Sequence, residues 1–131
     1  MTTKVILVAH GNLAGAFIDS MEMIIGPRPE NEVVGISFTL DDALETLKDR
    51  IEENIIAFDL KADEHLVVCC DMQGGSPFNA SFLLSKQYPM SIICGMNLPL
   101  LLEFMLKKDE YTTKEEIQDL LEQTKEFIKV F

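Results

Sequence analysis

The run Leu66-Val67-Val68-Cys69-Cys70-Asp71-Met72-Gln73-Gly74-Gly75-Ser76-Pro77-Phe78-Asn79 decides the fold. Its first five residues are all apolar, as in a strand covered on both faces of a sheet; a half-exposed strand would alternate. Asp71 ends the strand. Gly74-Gly75 lets the backbone turn sharply and come close to another group. Ser76 is a good helix cap and Pro77 suits the first helical position, so a short helix is expected from about Pro77. Strand, tight turn and helix follow one another directly, which is the junction of a βα unit.

The same grammar recurs on either side. Upstream, Val5-Ile6-Leu7-Val8-Ala9 is another doubly covered strand, closed by His10 and Gly11. Leu13, Phe17, Met21 and Ile24 then recur at helical spacing, with Asn12 as a cap and Gly26-Pro27 as a stop. Val33–Phe38 reads as a strand. Thr39 is placed to cap the next helix with Asp42 at its third position, and Leu44, Leu47, Ile51 and Ile55 form its buried stripe. The acidic run 59–64 is a solvated turn. Downstream, Ser91–Cys94 is a fourth strand, and Pro99 opens a helix through about Leu106. Thr113 and Glu116 make a capping box for a fifth helix with Ile117, Leu120, Leu121 and Thr124 facing inward. Phe127–Phe131 alternates as an edge strand would, and equally suits the last turn of that helix. There is no repeat, low-complexity tract or linker, so residues 1–131 read as a single domain.

Alternating strands and helices imply a mostly parallel sheet with helices on both faces, a three-layer α/β/α, flavodoxin-like architecture. Ligands in such sheets sit beyond the carboxyl ends of the strands, at the switch in strand order. With the first strand central and flanked by the second and third, His10 and Asp71 become neighbours at that point.

Composition narrows the functional classes. The chain has 131 residues, with 22 acidic and 11 basic side chains and a formal charge of −11. This disfavours nucleic acid and anionic membrane surfaces, but suits a partner with a basic face. The three cysteines, Cys69, Cys70 and Cys94, lie in apolar runs and read as reduced core thiols of a cytoplasmic protein. No Cys/His cluster has metal-ligand spacing, and no cofactor motif is present: the P-loop and dinucleotide patterns are both absent. The amino-terminal apolar run does not read as a signal peptide, and no stretch is long enough to span a membrane.

Two strand ends carry the chemistry. An imidazole that accepts a phosphoryl group needs one nitrogen free and unprotonated. A carboxylate on the other nitrogen fixes the tautomer and stabilises the charge that develops. Asp71 is placed to do this for His10. The backbone N–H groups of Gly74, Gly75 and Ser76, with the Ser76 hydroxyl, form a candidate phosphate cradle at a helix N-terminus. The same residues also make an ordinary strand-turn-helix connection around a structural histidine. Gly11 and Asn97 are candidate cleft-lining residues, Asn97 reading first as the cap of the next helix. His65, at the opposite end of its strand, reads as structural or exposed.

Three segments carry a resemblance to a known family: Val8-Ala9-His10-Gly11-Asn12-Leu13-Ala14, Asp71-Met72-Gln73-Gly74-Gly75-Ser76-Pro77-Phe78-Asn79-Ala80 and Gly95-Met96-Asn97-Leu98-Pro99-Leu100-Leu101. Ser20-Met21-Glu22-Met23-Ile24-Ile25-Gly26 also looks like that family's first helix. The chain resembles the IIA component of the mannose/fructose/sorbose branch of the bacterial phosphoenolpyruvate:sugar phosphotransferase system. The resemblance implies a sheet of order 2-1-3-4. It implies phosphoryl transfer from phospho-HPr to a histidine aligned with His10, and on to a IIB component. The family's aspartate aligns with Asp71 and its glycine-serine turn with Gly74, Gly75 and Ser76. It also implies a homodimer in which a carboxyl-terminal strand, here Phe127–Phe131, is exchanged between subunits, and a IIB that is either a separate chain or follows Phe131. The phosphotransferase subunit of phosphoenolpyruvate-dependent dihydroxyacetone kinase is similar in fold and reactive histidine; the G-x-N-L-P segment favours the sugar-transport branch. A different class, a non-catalytic flavodoxin-like module binding a phosphate-bearing ligand at the 74–76 turn, also fits the residues.

Overall fold

Four parallel strands lie at the centre: β1 (Thr3–His10), β2 (Val33–Phe38), β3 (His65–Cys70) and β4 (Ser91–Cys94), in the order β2-β1-β3-β4. This computed structural model describes residues 2–29, 31–111 and 113–131. The helices are α1 (Leu13–Ile25), α2 (Leu44–Phe58), α3 (Ser76–Leu84), α4 (Leu98–Lys107) and α5 (Lys114–Thr124). The α/β architecture and the 2-1-3-4 order match expectation.

β1 explains the continuous apolar run. Val5, Leu7 and Ala9 face one core with Met21, Leu101, Phe104 and Leu120, from α1, α4 and α5. Ile6 and Val8 face the other, with Leu47, Ile51 and Leu84 from α2 and α3. All five β1 residues are fully buried. Burying a large aliphatic side chain contributes about 1.5–3 kcal/mol, so both faces of this strand are held firmly. Its register sets the site: His10 pairs with Phe38 and Val8 with Cys70. Asp71, one residue past Cys70, therefore emerges beside the end of β1.

α1 is rotated from the expected stripe. Ala14 and Met21 are buried and Phe17, Ile18 and Ile25 pack on the core, whereas Leu13 is 40% and Ile24 58% exposed. The cause is Gly35 on β2. A Cβ there would lie 3.2 Å from the Gly15 nitrogen and 3.3 Å from the Ala14 carbonyl carbon. The helix backbone thus rests on the sheet through its small residues, which turns the inward face toward Ala14, Ile18 and Ile25 while Phe17 and Met21 stay inward.

Helix starts also differ in detail. Thr39 and Asp42 do bond, but as a turn ahead of the helix; α2 begins at Leu44 after Ala43. Gly75, not Ser76, precedes α3, so Ser76 is its first residue and Pro77 its second. Thr113 accepts the Glu116 N–H and caps α5 as expected. Lys125–Phe127 forms a 3₁₀ turn closed by the Ile128 N–H on the Lys125 carbonyl. Of the two readings of Phe127–Phe131, the edge strand does not form in the single chain, and the segment starts instead from a helical turn that continues α5. The turn takes up the backbone donor of Ile128, and the alternating apolar residues Ile128, Val130 and Phe131 are left exposed. No helix among the described residues is long and apolar enough to cross a membrane.

Candidate functional site

β1 presents His10 at the carboxyl edge of the sheet. Gly11, at φ +60°, then turns the chain and donates its N–H to the Phe38 carbonyl at 2.8 Å. A positive φ strains most residues but not glycine. The His10 side chain is 47% exposed, while that of Asp71 is 13% exposed. Asp71 Oδ2 lies 2.8 Å from His10 Nδ1 and also accepts the His10 backbone N–H at 3.0 Å. Its Oδ1 accepts the Met72 N–H at 3.0 Å. Burial opposes ionisation of Asp71, but the hydrogen bonds from His10 and Met72 outweigh it and hold the carboxyl below the usual carboxylate range.

An ionised carboxylate on Nδ1 makes that nitrogen the N–H donor, so the neutral ring carries its lone pair on Nε2. Phe38 meets the ring edge-on, with centroids 5.8 Å apart and planes at 86°. On the other side stands Gly75. A Cβ at this position would fall 2.8 Å from His10 Cε1 and 3.3 Å from Nε2. Gly75 thus lets the N-terminus of α3, with its positive dipole end, abut the nucleophilic edge of the imidazole. Gly74, at φ +86°, makes the reversal between Asp71 and that helix possible.

The structure brings His10, Asp71 and Gly75 together; Gly74 and Ser76 flank Gly75 in the chain. Gly11 lines the cleft that opens from His10, a space of about 690 Å³ with Asn12, Phe38, Thr39, Leu40, Asp41 and Asp42 on its walls. Asn97 does not line it. Its Oδ1 caps α4 by accepting the Leu100 N–H at 3.0 Å, and it borders a separate cavity of about 210 Å³ beside Cys94 and Lys125. The sequence reads Thr39 and Asp42 only as a helix-capping pair and gives no sign that Thr39–Asp42 walls the cleft. His65 begins β3, at the far end of the sheet. Burial pushes the Cys70 thiol up to about 12 and raises Cys69 as well, which suits inert core thiols. Among the described residues no cluster of three or more His, Cys, Asp or Glu side chains is disposed to hold a metal.

The family model described as the phosphotransferase system fructose IIA component matches residues 4–121. The chain belongs to the mannose-family IIA components. The sorbose-specific EIIA component of Klebsiella pneumoniae is 36% identical over 101 residues, 76% of this chain and 70% of that protein. The sorbose-specific EIIA component of Lacticaseibacillus casei is 30% identical over 125 residues, 95% of this chain and 87% of that protein. In three dimensions the chain is similar to the crystal structure of EIIA from Streptococcus agalactiae. There the TM-score is 0.85 at 29% identity, over 98% of this chain and 97% of that one. This IIA chain is accordingly a phosphotransferase of a sugar-transport phosphotransferase system.

Proposed function

We propose that the IIA chain is a phosphoryl carrier whose His10 is transiently phosphorylated, with phospho-HPr as donor and a IIB component as acceptor. The observation that carries this reading is the double hold of Asp71 Oδ2 on His10, at Nδ1 and at the backbone nitrogen, which leaves Nε2 facing Gly75. In the forward step the Nε2 lone pair attacks phosphorus, an Nε2–P bond forms and the N–P bond of the donor breaks. The Nδ1 proton stays on the Asp71 side and the ring acquires positive charge, which the carboxylate stabilises. Backbone groups of Gly74–Ser76 at the start of α3 face the phosphoryl oxygens. Transfer to IIB reverses the sequence with a new nitrogen acceptor, and no water takes part. Positioning and electrostatics are most of what phosphoryl transfer requires.

On this reading the chain works in the cytoplasm as a homodimer, in which exposed Ile128, Val130 and Phe131 find cover. The test of the carrier role is incubation with phosphoenolpyruvate, enzyme I and HPr. The expected product is one acid-labile phosphate per chain, absent from His10→Ala. Phosphate retained by His10→Ala would overturn the assignment.

A further inference from the structure

Arg50 lies on α2 and does not line the His10 cleft, yet its guanidinium is committed at both prongs. Nη1 donates to the Ser37 carbonyl and Nη2 to Asp42 Oδ1, each at 2.6 Å. The first contact follows from topology. β2 is an edge strand. The Phe38 carbonyl is taken by the Gly11 N–H on the β1 side, so the neighbouring Ser37 carbonyl points to the open edge. Arg50 supplies the donor that a further strand would otherwise provide. The second contact organises a loop. Asp42 Oδ2 accepts the Thr39 N–H at 2.8 Å and the Thr39 hydroxyl at 3.0 Å, and the Asp42 N–H donates to the Thr39 carbonyl at 3.1 Å. Thr39–Asp42 is thereby a closed turn, pinned through Arg50 to the end of β2.

That turn forms a wall of the cleft into which His10 opens. The two residues at its tip, Leu40 and Asp41, are exposed, Leu40 completely. A phosphoryl group carried on another protein reaches His10 only if that protein's surface closes over the exposed ring, and the Thr39–Asp42 turn, on the Phe38 side of that ring, stands at the edge of the contact. A rim already held in place loses less conformational freedom on association than a mobile one. The imidazole itself is held separately, by Asp71 and against Gly75.

Resting on the carrier reading above, we propose that Arg50 is a positioning residue for donor docking: it holds Leu40 and Asp41 where phospho-HPr must land. It acts on the encounter and not on the reacting nitrogen. The expected signature is a change in KM for the donor with kcat preserved.

The experiment is steady-state phosphorylation of the full chain by enzyme I and phosphoenolpyruvate, with HPr titrated. It uses wild type, Arg50→Gln, Arg50→Lys, Leu40→Ser and the Arg50→Gln/Leu40→Ser double variant. Arg50→Gln should raise KM for phospho-HPr about tenfold, as loss of one or two pre-ordered contact side chains implies, with kcat within about twofold of wild type. Arg50→Lys, which reaches only one of the two acceptors, should fall between. Leu40→Ser should raise KM comparably, and the double variant should rise by less than the product of the singles, because both changes act on the same contact. An unchanged KM, a fall confined to kcat, or fully multiplicative effects would each overturn the proposal. Should Arg50→Gln fail to fold, Leu40→Ser decides alone, since an exposed side chain is not needed for packing; a wild-type KM there overturns the docking role of the wall. Failure of the carrier reading looks different: wild type itself takes no phosphate from phospho-HPr.

Discussion

Asp71 Oδ2 holds His10 by two groups at once, the ring Nδ1 at 2.8 Å and the backbone nitrogen at 3.0 Å. One oxygen thus ties the end of β3 to the end of β1 and sets the ring's orientation relative to its own main chain. The second oxygen is anchored on the Met72 N–H, so the carboxylate cannot rotate without giving up a bond. Gly75 completes the arrangement by leaving open the space next to Nε2.

This relationship makes charge, and not shape, the sensitive property at position 71. Asp71→Asn retains the volume and one acceptor oxygen, but removes the negative charge and sets an amide against the Met72 N–H. The variant should fold, with a circular dichroism spectrum like wild type. Its phosphorylation should slow by about 10²-fold, the usual effect of removing one pre-placed electrostatic contact from a transition state. Rapid-quench phosphorylation from phospho-HPr measures it. A wild-type rate would show that Asp71 does not support the imidazole.

Position 75 tests the space in front of the nucleophile. Gly75 has φ −91°, which an alanine adopts without backbone strain, so Gly75→Ala changes the site more than the fold. Its Cβ, 2.8 Å from Cε1, must push the imidazole aside or occupy the phosphoryl position. Phosphate incorporation should drop more than about tenfold, and the His10 ring signals in nitrogen-resolved NMR should move away from the Asp71-bonded pattern. Gly74→Ala is the contrasting case. Its φ of +86° penalises alanine, but open space surrounds the new methyl. It should lower stability by about 1 kcal/mol and leave the imidazole signals in place.

The acid limb of stability should report the Arg50 clasp. The Arg50 guanidinium, helped by the Thr39 N–H, holds the Asp42 carboxyl at about 2, against 3.8 ordinarily. Because the folded value is depressed, the stability contributed by ionised Asp42 is fully present above about pH 4. It fades as pH falls from 3.8 toward 2. Asp42→Asn should therefore melt below wild type at neutral pH, with the two Tm curves converging as pH approaches about 2. Parallel curves through that window would show that Asp42 is not held by its partners in solution.

Local chemistry is legible in the sequence itself. Continuous apolar runs marked β1 and β3 because each is buried on both faces; Gly26, Asn97 and Thr113 marked helix ends because each settles backbone groups within a few residues of itself. The strand ends at His10 and Asp71, and the glycine turn after Asp71, were readable for the same reason: each is a short-range solution to where the backbone goes. What remained out of reach depended on partners distant in the chain. The rotation of α1 was set by the missing side chain of Gly35, on a different element. The role of Gly75 depended on how near His10 comes, and that of Arg50 on a carbonyl left bare by sheet order. Asn97 went to a helix cap and a different cavity because β4 ends two strands away from β1. Sequence periodicity records which face is buried and where an element stops. The distances that make His10 and Asp71 a pair, and the clasp that shapes the cleft beside them, arise from strand register and helix seating, which many weak long-range contacts settle together.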